Sequence, residues 1–209
     1  MSGATFFALD ELTGTERYKL LAAAIVPRPI GWVSTRSADG VDNLAPYSFF
    51  NMLGASPPLL VLGTMRQEDG RPKDSAANLM ATGECVIHLV SEEMLEAMNA
   101  TCVDAPPEVS EADWAGVGLV QSRLVVPSRI GDAPVAIECR LFQTIDAPPA
   151  TLILIVEAIG LHIGEQFLDA ERLRVDPLAM QLVGRVHGPG AYTRIGVDRV
   201  LERPVWGEA

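Results

Sequence analysis

Lys73-Asp74-Ser75, followed by Asn78, is the segment of this 209-residue chain whose residue types best suit an anion site. Asp74 precedes a short apolar stretch ending near Gly83, which predicts a helix with Asp74 as its cap. The first backbone N–H groups of such a helix point outward with the positive end of its dipole. Lys73 and the Ser75 hydroxyl stand beside them, and phosphate is the natural ligand of that arrangement. A carboxylate at Asp74 competes with an anion unless it faces a hydroxyl, such as one on a sugar or ribityl chain. Arg66, Arg71 and Lys73 lie close together, whereas residues 74–122 hold nine Asp or Glu and no Lys or Arg. On a chain of formal charge −11, that basic cluster is where an anionic ligand meets least repulsion. The same residues also suit a plain helix start beside a solvated loop.

A second group runs from Arg28 to Thr35 and from Asn43 to Asn51. It reads as two adjacent strands joined by a turn at Asp39-Gly40. Polar Ser34, Thr35, Asn43, Ser48 and Asn51 interrupt apolar runs and need partners if buried, which a polar ligand rim would supply. Pro46 lacks the ladder N–H, so the second strand is expected to bulge or break there, leaving backbone groups for the edge of a flat heterocycle. A third group, Val183 to Arg194, contains Gly188-Pro189-Gly190, a tight loop with His187 and Tyr192 at its ends. Such a loop can cover one face of a planar ring, or be a plain turn.

The elements that must position these residues are mostly strands. Val, Ile and Leu dominate Ile30–Thr35, Leu59–Met65, Cys85–Val90, Leu119–Val126, Val135–Ile145 and Leu152–Ile163, and turn residues bound most of them. Short turns between them favour an antiparallel barrel or sandwich over a doubly wound sheet. Helices are few: one from Asp74, one from a Ser91 cap through Asn99, and a short turn at a Ser110-Glu111-Ala112-Asp113 capping box. The length suits one domain over residues 1–209, able to bury a core without disulfides or metal. Cys85, Cys102 and Cys139 form no CxxC pair and read as buried thiols in a reducing cytosol. His88, His162 and His187 are too scattered for a metal site. No apolar run reaches the ~18 residues of a membrane span, and the N-terminus does not look like a signal peptide. The acidic balance argues against nucleic acid and anionic membrane as partners. The expectation is a cytoplasmic protein.

In this order, PRPIGWVST, NLAPYSFFN, KDSAAN, ECVIHLVSEEMLEAMNAT, PVAIECRL and GRVHGPGAY resemble the flavin reductase-like family of FMN-binding split barrels. The match runs from about Tyr18 to Arg194. The resemblance implies a mainly β fold, a six-stranded antiparallel split β-barrel with a few short peripheral helices, working as a homodimer with FMN near the dimer interface. It implies that Trp32, Ser34 and Thr35 lie on the flavin side of the first strand. Ala45, Pro46, Tyr47 and Ser48 would face the ring edge, and Phe50 and Asn51 would continue that wall. Lys73, Asp74, Ser75 and Asn78 would hold the phosphate and ribityl chain, with His187 and Tyr192 at the rim, where the second subunit could contribute them. The activity implied is hydride transfer from NAD(P)H to flavin, with a partner oxygenase or other acceptor receiving reduced flavin. Tightly held FMN acting on another small substrate, or a non-catalytic FMN-binding module, are the alternatives. Three departures stand out. Ser75 replaces a frequent Thr, Val156-Glu157 replaces a Gly-Glu pair, and residues 156–159 lack the histidine that positions nicotinamide in some reductases, although His162 is nearby.

Overall fold

The computed structural model describes residues 3–188 and 190–206. Pro189 of the expected glycine loop lies outside the described residues. Seven strands form one antiparallel sheet: β1 (Gly31–Arg36), β2 (Asp42–Tyr47), β3 (Phe50–Ala55), β4 (Pro58–Met65), β5 (Glu84–Leu89), β6 (Val135–Ala147) and β7 (Thr151–Ile163). Their order is β2-β1-β5-β6-β7-β4-β3. The expected six-stranded barrel is thus corrected to a seven-stranded sheet without a closing ladder. The two edge strands, β2 and β3, are consecutive in the chain and joined only by Ser48 and Phe49. Three Cα–Cα steps reach at most ~11 Å. The sheet must therefore curl until its edges nearly meet; on the β3 side the Phe49 carbonyl extends the β3–β4 pairing, accepting from Gly63 N–H at 2.7 Å. A Cβ on Gly63 would sit 3.0 Å from that of Phe49, so the approach requires a glycine.

The sequence expected one strand from Asn43 to Asn51, interrupted at Pro46. Instead β2 continues through Pro46, which pairs with Trp32 without a register shift. An edge strand tolerates proline when the missing N–H faces away from its only neighbour. The break falls after Tyr47, and Phe50 opens a new strand. Leu119–Val126 is not a strand either. Only Leu119–Val120 pairs, with Arg129–Ile130, and residues 121–128 form a loop. That loop is held through the buried Glu138 on β6, whose carboxylate accepts from Arg123 N–H at 2.8 Å, Leu124 N–H at 2.5 Å and His162 Nε2 at 2.6 Å.

Two apolar clusters carry the packing. One lies inside the curl, with Val33, Phe50, Leu62, Leu79, Ile87, Leu154 and Val156. The other joins Ile30, Trp32, Leu44, Met98, Ala112 and Ile130 beneath the helical segments. His88 is fully buried: its Nδ1 donates to the Trp32 carbonyl (2.7 Å), and its Nε2 accepts from Ile130 N–H (3.0 Å). Burial above all lowers its pKa to about 4, so it is neutral and structural. Cys85 and Cys139 are buried and face each other across β5 and β6, but Cys102 is exposed, against the expectation of three buried thiols.

Helices flank the sheet: α1 (Gly14–Ala24), α2 (Asp74–Thr82), α3 (Leu95–Ala100) and α4 (Glu111–Ala115). The sequence reading missed α1, although Thr13 and Glu16 form a full capping box that spells its start. Buried Arg28 ties its C-terminus down, donating to the carbonyls of Ala22, Ile25 and Val186 and, at 3.4 Å, to the Ser48 hydroxyl. α2 ends at Gly83 in the left-handed region (φ 78°), as expected. Its start differs, because Lys73 rather than Asp74 is the N-cap and no side chain caps it.

Candidate functional site

A cavity of about 350 Å³ opens where the end of β2, the start of α2 and the segment 101–105 after α3 converge. That volume falls in the range of small-molecule sites. Eight of the residues singled out in the sequence line it: Asn43, Ala45, Pro46, Tyr47, Ser48, Lys73, Asp74 and Ser75. β2 pairs on one side only, and Pro46, whose nitrogen faces away from β1, leaves its carbonyl on the open side. The uncapped start of α2 contributes the N–H groups of its first turn. A phosphate and the edge of a flat ring thus have complementary surfaces within one cavity.

Lys73 is half-exposed and rests 3.4 Å from Asp104, itself almost wholly exposed, on the same rim. The other members of the basic cluster are engaged elsewhere, Arg66 with Asp146 at 2.9 Å and Arg71 with Asp69 at 2.6 Å. Lys73 is therefore the cation of that cluster that lines the cavity. Tyr18 and Phe49 meet edge-to-face, with centroids 6.2 Å apart, and form an apolar wall. The Tyr47 phenol is pushed up to about 12, mainly by burial and further by Asp74 and Glu111, against the effect of Ser75. It is protonated at neutral pH.

Behind the cavity runs a polar network. Glu111, which the sequence suggested only as part of a helix start, is buried and accepts from Asn43 Nδ2 with both oxygens (2.9 Å each) and from Leu44 N–H (3.0 Å). Asn43 Oδ1 accepts from Ser75 Oγ at 2.6 Å and Thr35 Oγ1 at 3.2 Å, and Thr35 accepts from Asn78 Nδ2 at 3.3 Å. Thr35 and Asn78 thus support the wall from behind and do not line it. The expected capping box at Ser110 does not form: its hydroxyl has no hydrogen-bond partner, while the neighbouring Glu111 turns inward toward β2.

Other expected residues lie elsewhere. Trp32 is in the core, its Nε1–H bonded to Thr101 Oγ1 at 2.9 Å. Ser34 donates to the Ser128 carbonyl on the far side of β1 (2.5 Å), and Phe50 packs inside the curl. Asn51 is exposed on β3, its side-chain carbonyl accepting from Met52 N–H. His187 is exposed away from the cavity; Tyr192 packs beneath Arg185, which lies 4.8 Å above its ring and donates to its hydroxyl. His162 is held by Glu138 and does not reach the cavity. The sequence reading missed Tyr18, Phe49, Gln67, Glu111 and Thr101 to Ala105 as lining residues. A Thr-Cys-Val-Asp-Ala run carries no motif that marks it. Among the described residues, no His, Cys, Asp or Glu group has metal-site geometry.

A family model described as a flavin reductase like domain matches residues 23–185. The chain belongs to the flavin reductase-like family. An uncharacterized protein of Deinococcus radiodurans is 42% identical over 194 residues, covering 90% of this chain and 85% of its own length. YwrF of Bacillus subtilis, also uncharacterized, is 34% identical over 203 residues, 95% of this chain and 98% of its own. Nitrilotriacetate monooxygenase component B from Bacillus cereus superposes with a TM-score of 0.91 at 29% identity, covering 96% of this chain and all of that one. The Pseudomonas fluorescens 2-nitrobenzoate 2-nitroreductase gives 0.88 at 32%, covering 98% and 99%. The fold is that of flavin reductase-like split-barrel proteins, and the chain is a flavin oxidoreductase of that family. No helix among the described residues is long and apolar enough to cross a membrane.

Proposed function

We propose that this protein is a cytoplasmic NAD(P)H-dependent flavin reductase that binds FMN in the cavity between β2 and α2. The observation that carries the reading is the convergence of the uncapped N–H groups of α2, the Lys73 ammonium and the open edge of β2 on one cavity. Lys73 and the α2 amides would hold the phosphate, and the Ala45–Ser48 edge would take the ring. Tyr18 and Phe49 supply an apolar wall that limits water around it. FMN, when bound, supplies the hydride-accepting ring, with NAD(P)H as donor.

A homodimer fits the exposed apolar residues Met52 and Leu53 on the edge strand β3, together with Phe49 and Leu21. In such a dimer, His187 and Tyr192 would be contributed to the rim of the second subunit's cavity. The similarity to a monooxygenase component B favours release of reduced flavin to a partner oxygenase. A second reading, tightly held FMN reducing a small substrate, is favoured by the 32% identity to a nitroreductase. Mixing purified protein with NADH or NADPH and FMN decides between them. Colourless protein that oxidises the nicotinamide only when free FMN is added supports the first reading. Yellow protein that keeps its flavin through gel filtration, and reduces a nitroaromatic, supports the second. No flavin binding at all refutes both.

A further inference from the structure

The buried network behind the cavity has a direction, and the direction is set by one residue. An ionised carboxylate has no proton to give, so the two contacts of Glu111 with Asn43 fix the carboxamide with its Nδ2 toward Glu111. Leu44 N–H, also donating, holds the carboxylate in place. The other end of the amide, Oδ1, then faces α2 and β1 as a pure acceptor. Its two contacts, Ser75 Oγ at 2.6 Å and Thr35 Oγ1 at 3.2 Å, must both be donated by the hydroxyls. Thr35 confirms the sense of the chain, because its remaining lone pairs accept from Asn78 Nδ2. Each hydroxyl has a single proton. Ser75 has therefore committed its proton inward; of its two lone pairs one meets the protonated Tyr47 hydroxyl beside it, and the other is left for a donor in the cavity that both residues line.

We infer that Glu111, acting through Asn43, is a specificity-determining residue: it makes the Ser75 hydroxyl an acceptor toward the cavity, so that Ser75 receives a ligand hydroxyl or N–H and not a phosphate oxygen. This rests on the flavin reading above and deepens it. It reverses the sequence expectation that the Ser75 hydroxyl helps hold phosphate. The phosphate is left to Lys73 and the α2 amides, while Ser75 reads a polyol hydroxyl or a ring N–H. Asn43, Ser75 and Glu111 are all more than nine-tenths buried, so water competes little with this arrangement.

The test compares FMN with riboflavin, which keeps the ring and the polyol but lacks the phosphate. In Ser75→Ala, affinities for both flavins should fall by the same factor, about tenfold for one lost hydrogen bond. A loss confined to FMN would show that Ser75 donates to phosphate, and no loss for either would show that it does not touch the ligand; both results overturn the inference. Glu111→Gln lets the Gln amide donate to Asn43 and turn it over, so Ser75 must then donate outward. In that background, adding Ser75→Ala should cost FMN more than riboflavin, and equal losses there would count against the relay. A ligand-free readout keeps the two readings apart. The side-chain amide proton resonances of Asn43 should move strongly in Glu111→Gln if the amide turns; unmoved resonances in a folded variant overturn the relay even if flavins bind. If neither flavin binds the unaltered protein, the functional reading fails, and the relay stands or falls on those resonances.

Discussion

Replacing Lys73 by Ala separates the phosphate from the rest of the ligand, and its size can be estimated from the geometry. A hydrogen bond to a charged group contributes ~1.5–3 kcal/mol. Lys73 is 45% exposed and Asp104 95% exposed, so their 3.4 Å ion pair is screened and stabilises the free protein by only ~0–1 kcal/mol. Binding phosphate exchanges that pair for a stronger one. The difference, about 1–2 kcal/mol, corresponds to a roughly 5- to 30-fold loss of FMN affinity in Lys73→Ala. Riboflavin should lose almost nothing. Asp104→Asn should act oppositely, because it frees Lys73 and removes a negative charge from the rim, tightening FMN severalfold. Both effects should shrink as salt rises, since the Debye length falls from about 10 Å at 0.1 M to about 3 Å at 1 M. Quenching of flavin fluorescence in a titration measures all four combinations. Equal losses for FMN and riboflavin, or no loss for either, would refute the assignment of Lys73 to the phosphate.

Three further outcomes are expected. His88 has a depressed pKa of about 4 in the fold, so below its unfolded value near 6.5 the unfolded chain binds the extra proton; stability should be full above about pH 6.5 and decline by a few kcal/mol toward pH 4, which urea unfolding across that range measures. Glu138 is held below the usual carboxylate range; burial, the largest single influence, pushes it up, but the bonds from Arg123, His162 and Leu124 outweigh it. Its contribution is therefore present above the unfolded carboxylate value and lost as pH falls through its lowered one, and Glu138→Gln should flatten that acid limb and raise amide exchange in residues 121–128. Gly63→Ala would set a Cβ 3.0 Å from that of Phe49, so it should lower stability by ~1–2 kcal/mol and weaken riboflavin and FMN alike, as read by thermal unfolding and titration.

Much of the strand content was legible because Gly, Pro and Asp bound β-branched runs whose faces are both buried, as in β5 and the first half of β6. The edge strands were less so. β2 and β3 merged into one expected strand because a proline announces a break locally, whereas the actual break at Ser48–Phe49 is imposed by curling of the whole sheet. The Lys73–Ser75 and Ala45–Ser48 walls of the cavity could be read from sequence, since they rest on local helix-start and edge-strand chemistry. Glu111 and residues 101–105 could not, because their place depends on a contact between α4 and β2, which lie 67 residues apart at Leu44 and Glu111. Trp32, Ser34 and Phe50 share strands with site residues, but alternation turns their side chains into the core or to the far face.

The central claim is that FMN binds where β2 meets α2. Backbone amide shifts of isotope-labelled protein during an FMN titration test it most directly. Saturable shifts should appear at Ala45, Tyr47 and Ser48 and at Asp74 to Ala76, with little change in residues 121–128. Shifts centred on another face, or none at millimolar FMN, would contradict the account.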